Sequence, residues 1–293
     1  MSTLSQERVT DPADPLVAEL VERQYHWRLR FRYADEVAAR AAATDLVASL
    51  LPDSRLLRTP VGFVWLGPDG EHTPVHDLDA ADPADVPALR DLAAELAGAP
   101  LAPSVLPGES AQDAFVADGS FRLVATNMRL DVTGEVPGDE LADRVDTVAM
   151  TDAEVAAFSA RAVTAYAHSR EEAGESAELA LETARKSFDE LFPGGRPAPG
   201  QHVYTVRHEG RRAGLLWVGE RWPAQAWVYE VEIDPALRGR GLGAAAMVHA
   251  AHWTRGQGMP WLGLNVFGPN RHARGLYERL GYVVEEEHFT REH

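Results

Sequence analysis

Val231-Glu232-Ile233-Asp234-Pro235, followed after two residues by Arg238-Gly239-Arg240-Gly241-Leu242-Gly243, is the stretch from which the rest of the chain can be read. The run from Ala226 to Ile233 has the aromatic and β-branched content of a strand, and Asp234-Pro235 stops it. The alanine-rich run beyond predicts a helix from about Leu242 to Arg255, ended by Gly256 and Gly258. A helix N-terminus presents unpaired N–H groups and the positive end of the helix dipole. Glycines there let the backbone close around a pyrophosphate without side-chain obstruction. Arg238 and Arg240 add positive charge at the mouth. An Arg-Gly-Arg-Gly turn alone reads as a flexible connection. Between a strand and a helix, it predicts a phosphate-binding loop.

Downstream, Trp261 to Phe267 reads as a strand, Arg271 to Leu280 as a helix and Tyr282 to Thr290 as a final strand. Upstream lie two more strand-like runs, His202 to Arg207 and Gly214 to Val218, with a hairpin turn at Glu209-Gly210-Arg211-Arg212. A helix is predicted from about Ser176 to Leu191, with Leu179, Leu181, Ala184, Phe188 and Leu191 mostly on one side. The run Pro193 to Gly200 breaks it. Earlier, Thr151-Asp152-Ala153-Glu154 opens a helix with Val155, Phe158, Ala162, Val163 and Tyr166 at helical spacing. Val145 to Met150 can form a strand before it. The order is a strand, two helices, an antiparallel meander, then helix-strand-helix-strand.

The first half carries a worn copy of this plan. A helical region runs from about Pro15 to Leu50, Val61 to Leu66 and Pro74 to Leu78 are strand-like, and Ala84 to Ala97 is helical. Setting Val105 against Val266 without gaps places Val116 on Tyr277 and Phe121 on Tyr282. With Leu78 at the Ile233 position, 27 residues separate it from Val105, against 33 between Ile233 and Val266, and the shortened segment Asp79-Ala80-Ala81-Asp82-Pro83 falls where the glycine loop should be, without arginine or glycine. Carboxylates there would repel a pyrophosphate. The expected division is a first domain of residues 1–135 without a phosphate loop and a second of residues 136–293.

Composition narrows the partners. The 293 residues are 45% hydrophobic, carry a net charge of −17 and include no cysteine. That composition excludes disulfides, thiolate nucleophiles and cysteine-ligated zinc. Nucleic acid is disfavoured, because a phosphate backbone needs a basic face. Residues 1–150 hold −14 of the charge and residues 151–293 hold −3, so the second half is the better host for a polyanion. No apolar run reaches the roughly 18 residues of a membrane span. The N-terminal residues lack the basic-then-apolar order of a signal peptide. A cytoplasmic protein is expected, as a monomer or homodimer.

The segment Val231 to Pro235, the loop Arg238 to Gly243, and Asn270, Ala273, Leu276, Tyr277, Glu278, Leu280, Gly281 and Tyr282 together resemble the GNAT superfamily of N-acetyltransferases. The resemblance covers about residues 145–293. It implies an α/β (α+β) fold of two GNAT-like domains in tandem, each a mixed, mostly antiparallel twisted sheet flanked by helices, similar in layout to mycothiol synthase. It further implies acetyl-coenzyme A as co-substrate. Pantetheine would pair with the strand at Val231 and Ile233, and pyrophosphate would lie on the N–H groups of Arg238, Gly239, Arg240, Gly241, Leu242 and Gly243. Tyr277 would protonate the leaving thiolate, and a backbone N–H near Ile233 would take the oxyanion.

Acetyl transfer to an amine needs a base, since alkylammonium groups have pKa near 10. Glu230 and Glu232 share a strand face and are the candidates. Asn270 is read as a cofactor contact or a helix cap, and Asn265 as a weaker candidate. His249 and His252 stand three apart with no third ligand, so no metal is expected. Trp217, Trp222 and Trp227 are read either as an acceptor wall or as core. The expected activity is acetyl transfer to a primary amine of a small molecule. Another acyl group, an O-acceptor or a protein amine, or a non-catalytic acyl-coenzyme A sensor, are the alternatives.

Overall fold

The apolar runs and their breakers resolve into twelve strands and eight α-helices among residues 4–268 and 270–291, which the computed structural model describes. The first ten elements are β1 (Glu7–Val9), α1 (Pro15–Trp27), α2 (Glu36–Leu50), β2 (Arg55–Thr59), β3 (Gly62–Leu66), β4 (Thr73–Ala80), α3 (Val86–Leu96), β5 (Leu101–Val105), α4 (Ser110–Val116) and β6 (Phe121–Asp131). The others are β7 (Asp146–Ala149), α5 (Asp152–Ala173), α6 (Ala177–Leu191), β8 (Gln201–His208), β9 (Arg211–Trp222), β10 (Gln225–Ile233), α7 (Leu242–Gly256), β11 (Trp261–Phe267), α8 (Arg271–Arg279) and β12 (Val283–Arg291). The same order occurs twice: strand, two helices, three strands, helix, strand, helix, strand.

Two compact units follow, one of Met1–Thr126 with Val284–His293 and the other of Asn127–Val283. The cut expected at 135/136 falls inside the second unit. The first unit's sheet runs β1-β2-β3-β4-β5-β12, with β12 antiparallel to β5 at Glu287↔Val105 and His288↔Ser104. The second runs β7-β8-β9-β10-β11-β6, with residues 127–131 of β6 in this unit. Each unit therefore takes its last strand from the other half of the chain. In both, the meander is antiparallel and the step from the fourth strand to the fifth is parallel.

Local chemistry fixes the element ends. Pro15 stands in the first turn of α1, where its missing N–H is not needed, and Asp14 caps it. The helical region expected over Pro15 to Leu50 is two helices, because a 3-10 turn at Leu29–Phe31 intervenes and Asp35 opens α2 by accepting from the Ala38 N–H. Thr151 and Glu154 form a reciprocal capping box on α5. Ser176 caps α6, whose buried stripe is Ala180, Ala184 and Phe188, while Leu179 is 38% exposed. That stripe keeps the expected Ala184 and Phe188, with Leu191 packed beside them, and has Ala180 buried where Leu179 was expected. Glu209 (φ 50) and Gly210 (φ 75) turn the β8–β9 hairpin with both central residues left-handed, as a two-residue hairpin favours.

Alternation along β3 assigns its two faces. Phe63 and Trp65 pack with Leu16, Leu20 and Val47 of α1 and α2, whereas Val64 and Leu66 pack with Val86, Leu92 and Phe115 of α3 and α4. In the second unit, Phe158 of α5 and Phe188 of α6 pack with Val203, Leu215 and Trp217. The α7 helix packs on β9, β10 and β11 through Ala245, Ala246, Val248 and Ala250. Its alanines allow the close approach that seats its N-terminus against the end of β10.

Candidate active site

Tyr229 is an extra residue in β10. Val228 pairs with Val218 and Glu230 with the adjacent Trp217, leaving Tyr229 as a β-bulge. Parallel pairing with β11 covers Gln225 to Val228 and stops there, while pairing with β9 continues to Ile233. The two parallel strands thus part after the bulge. The Asp234 N–H donates to Ala213 O on the β9 side at 2.9 Å. Strand alternation then turns Val231 and Ile233 to the parted side, where their backbone groups have no strand partner.

The loop grows from that strand end. Asp234 caps a 3-10 turn at Pro235–Leu237. Gly239 and Gly241 both have φ 77, and Gly241 is the N-cap of α7 with no side chain capping the helix. The first N–H groups of α7 are therefore left for a ligand or water. The Arg238 Nε donates to Ile233 O at 2.9 Å, tying loop to strand. Leu242 is buried, and a Cβ on Gly243 would lie 3.8 Å from both Ile233 and Leu276. Loop, β10 and α8 thus meet at one place, as their separate motifs require.

Glu230 and Glu232 pair with Trp217 and Leu215, alternate residues of β9, and the charge of Glu232 acts on Glu230. Burial first, then Glu232, pushes the Glu230 carboxyl up to about 7, and Arg161 on α5 opposes this. Neither carboxylate has an ion-pair partner among the described residues. Glu232 is exposed and Glu230 half-buried. Tyr277 on α8 is 8% exposed, and burial pushes its hydroxyl up to about 12. It keeps its proton at neutral pH and is a donor. Its distance from a thiol's range is wider than reference values suggest.

The remaining candidates separate. Asn270 caps α8, accepting from the Ala273 N–H at 3.1 Å. Asn265 is exposed and donates to Asn127 Oδ1 at 2.8 Å. His249 reaches the carbonyls of Ala142 (3.0 Å) and Val145 (2.9 Å), and His252 the carboxylate of Asp139. They hold the segment before β7 against α7. Trp217 is buried among Phe158, Phe188 and Phe192 and stacks on Tyr229 at 4.5 Å. Trp222 and Trp227 pack together at the far end of β10, under Arg221.

The first unit repeats this place with the chemistry removed. His76 is the bulged residue of β4, and Trp65 pairs with Asp77 as Trp217 pairs with Glu230. A Cβ on Gly62 would lie 2.0 Å from Asp79 O, and one on Gly214 2.0 Å from Glu232 O. Ala80 therefore stands at the Ile233 position, two residues beyond the Leu78 expected from sequence. Asp82 caps a 3-10 turn at Pro83–Asp85, as Asp234 caps Pro235–Leu237. The α3 helix then begins at once with Val86. The counterpart of Arg238 to Gly241 is deleted, not replaced by acidic residues as expected from sequence. Arg23 binds Asp77 through two bonds, of 2.9 and 3.0 Å, and reaches Asp79 and Glu109, while Gln112 adds a bond to Asp77 at 2.7 Å. The carboxylate at the Glu230 position is thus locked in a buried ion pair. The repeated Gly62-Phe63-Val64-Trp65-Leu66-Gly67 and Gly214-Leu215-Leu216-Trp217-Val218-Gly219 carried this register in the sequence unnoticed.

The Acetyltransferase (GNAT) family matches residues 163–282, which hold the bulge, the loop and Tyr277. The uncharacterized N-acetyltransferase YycN of Bacillus subtilis is 30% identical over 125 residues, 40% of this chain and 78% of that protein. This chain belongs to the GNAT family of acetyltransferases and is an acyltransferase. The mycothiol acetyltransferase of Beutenbergia cavernae is 30% identical over 151 residues, 50% of this chain and 46% of that one. A crystal structure of a GCN5-related N-acetyltransferase from Sphaerobacter thermophilus matches with TM-score 0.51 at 14% identity, over 100% of this chain and 96% of that one. That match extends the fold likeness to the whole tandem layout. No helix among the described residues is long and apolar enough to cross a membrane.

Proposed function

We propose that the second unit transfers an acetyl group from acetyl-coenzyme A to a primary amine of a small molecule, by direct attack within a ternary complex. One observation carries this reading: a half-buried carboxyl with a pKa of about 7, Glu230, lies on the strand whose open edge ends at an arginine-glycine loop. Pantetheine would pair with Val231 and Ile233, and pyrophosphate would take the N–H groups from Gly239 to Gly243, with Arg238 and Arg240 beside them.

A carboxyl near 7 is matched to proton abstraction at neutral pH. Glu230 would take the ammonium proton, directly or through water, and Glu232 would favour the approach of the cation. The amine nitrogen then attacks the thioester carbon, whose oxygen takes the N–H near Ile233 as negative charge develops. The C–S bond breaks, and Tyr277 supplies the hydrogen bond and proton that the thiolate needs. The half-buried Tyr229 would give the acceptor side an aromatic surface, with Trp217 stacked behind it in the core. The first unit, without the loop and with Asp77 held by Arg23, would bind no coenzyme A in this manner.

Coenzyme A thiol release, measured with acetyl-coenzyme A and a panel of small amines and peptides, tests the reading. The expected result is turnover with a small primary amine and an N-acetyl product by mass spectrometry. Coenzyme A binding with no turnover across the panel would overturn it in favour of a sensor.

A further inference from the structure

Arg144, outside every motif read from the sequence, reaches the phosphate loop. It ends a 3-10 turn, Asp139–Arg144, that lies on α7. One face of α7 holds the segment, since His249, His252 and Arg255 bind Ala142 O and Val145 O, Asp139 Oδ1, and Gly134 O. His208 Nδ1 lies 2.8 Å from the carbonyl of Arg144 itself. Backbone and helix together therefore place Arg144 at the start of α7. Its Nη1 donates to Arg240 O at 3.2 Å and would lie 3.2 Å from a Cβ on Gly241.

That bond fixes more than a carbonyl. The Arg240 C=O and the Gly241 N–H belong to one planar trans peptide and point in opposite directions. Rotation of this peptide turns ψ of Arg240 and φ of Gly241, and Gly241, at φ 77, is a glycine that can turn at little cost. With the carbonyl held by Arg144, the Gly241 N–H is turned to the opposite side, away from that guanidinium. Arg144, Arg238 and Arg240 have no ion-pair partner among the described residues, in a chain with a net charge of −17.

We infer that Arg144 is a positioning residue for the cofactor's phosphates, locking the Arg240–Gly241 peptide with its N–H turned outward for an anion. The inference rests on the reading of the second unit as a coenzyme A enzyme.

The test compares acetyl-coenzyme A with acetylpantetheine, which has the same thioester arm but no pyrophosphate. KM and kcat for both are measured in the full-length chain, and in Arg144→Ala and Arg144→Gln, with Tm as a check on folding. A charge-assisted bond of about 1.4 kcal/mol predicts that Arg144→Ala raises KM for acetyl-coenzyme A roughly tenfold. The KM for acetylpantetheine and both kcat values should stay near those of the wild type. Arg144→Gln, which keeps a donor but loses the charge, should raise the first KM roughly threefold by the same conversion, and it decides the matter if the alanine variant fails to fold. A wild-type preference for acetyl-coenzyme A that survives unchanged in a folded variant overturns the role of Arg144. A wild type that shows no such preference overturns the phosphate loop itself, and the role of Arg144 with it.

Discussion

As the proposed base, Glu230 would set the pH range in which the site works. Its carboxyl titrates near 7 because burial and the neighbouring Glu232 both disfavour its charge. The rate should rise with pH through about 7 as Glu230 becomes the ionised base. Glu230→Gln should lower kcat by about a hundredfold or more, within the usual range for a lost general base, and should abolish that limb of the pH profile. Glu232→Gln should move the limb to lower pH, because a raising influence is removed. A limb that stays put in pH–rate measurements would separate Glu232 from the base. The sign for stability is also fixed. A carboxyl raised above its unfolded value contributes stability below the unfolded pKa and loses it as pH rises through the folded one. Glu230→Gln should therefore gain Tm over the wild type above pH 7 and not near pH 4. Both glutamates were legible in the sequence as a same-face pair. Which one is buried was not, because that depends on α5 and on the bulge at Tyr229.

The decisive element is β10, and its neighbour β9 shows how tightly it is held. Gly214 faces Ile233, where a Cβ would stand 2.0 Å from the Glu232 carbonyl oxygen. Backbone cannot give way as a side-chain tip can. Gly214→Ala should cost about 1–3 kcal/mol, as overpacking does, measured by urea unfolding. It should also lower activity, since the shifted residues carry the base and the open edge. Sequence reading found the strand, the loop and the helix because their signals are local: β-branched residues, Asp-Pro, glycines with arginines, and alanines. It missed β1 and β2, which are short and have too little alternation to register. It found that the first unit's loop is shortened but set the register two residues early. The paired bulges at His76 and Tyr229 show where the gap falls.

The whole molecule has two units whose last strands come from opposite halves of the chain. A fragment of residues 136–293 would lack strand residues 127–131, which lie beside β11, and would carry residues 284–291, which belong to the first unit's sheet. Such a fragment exposes an unpaired sheet edge and a surplus strand without its partner. It should aggregate or elute as a broad high-mass species in size-exclusion chromatography, while the full chain does not. A well-folded, coenzyme A-binding fragment would refute the exchange. The sequence by itself determined the tandem order of elements, the arginine-glycine loop at Arg238 to Gly243, and the candidate acid and bases, because each rests on a short run of residues whose chemistry acts locally. Only the tertiary structure decided which strand completes which sheet, that the first unit's loop is deleted and its carboxylate locked by Arg23, and that Arg144 reaches the loop. Those depend on residues tens to hundreds of positions apart meeting in space, and no periodicity or motif records such a meeting.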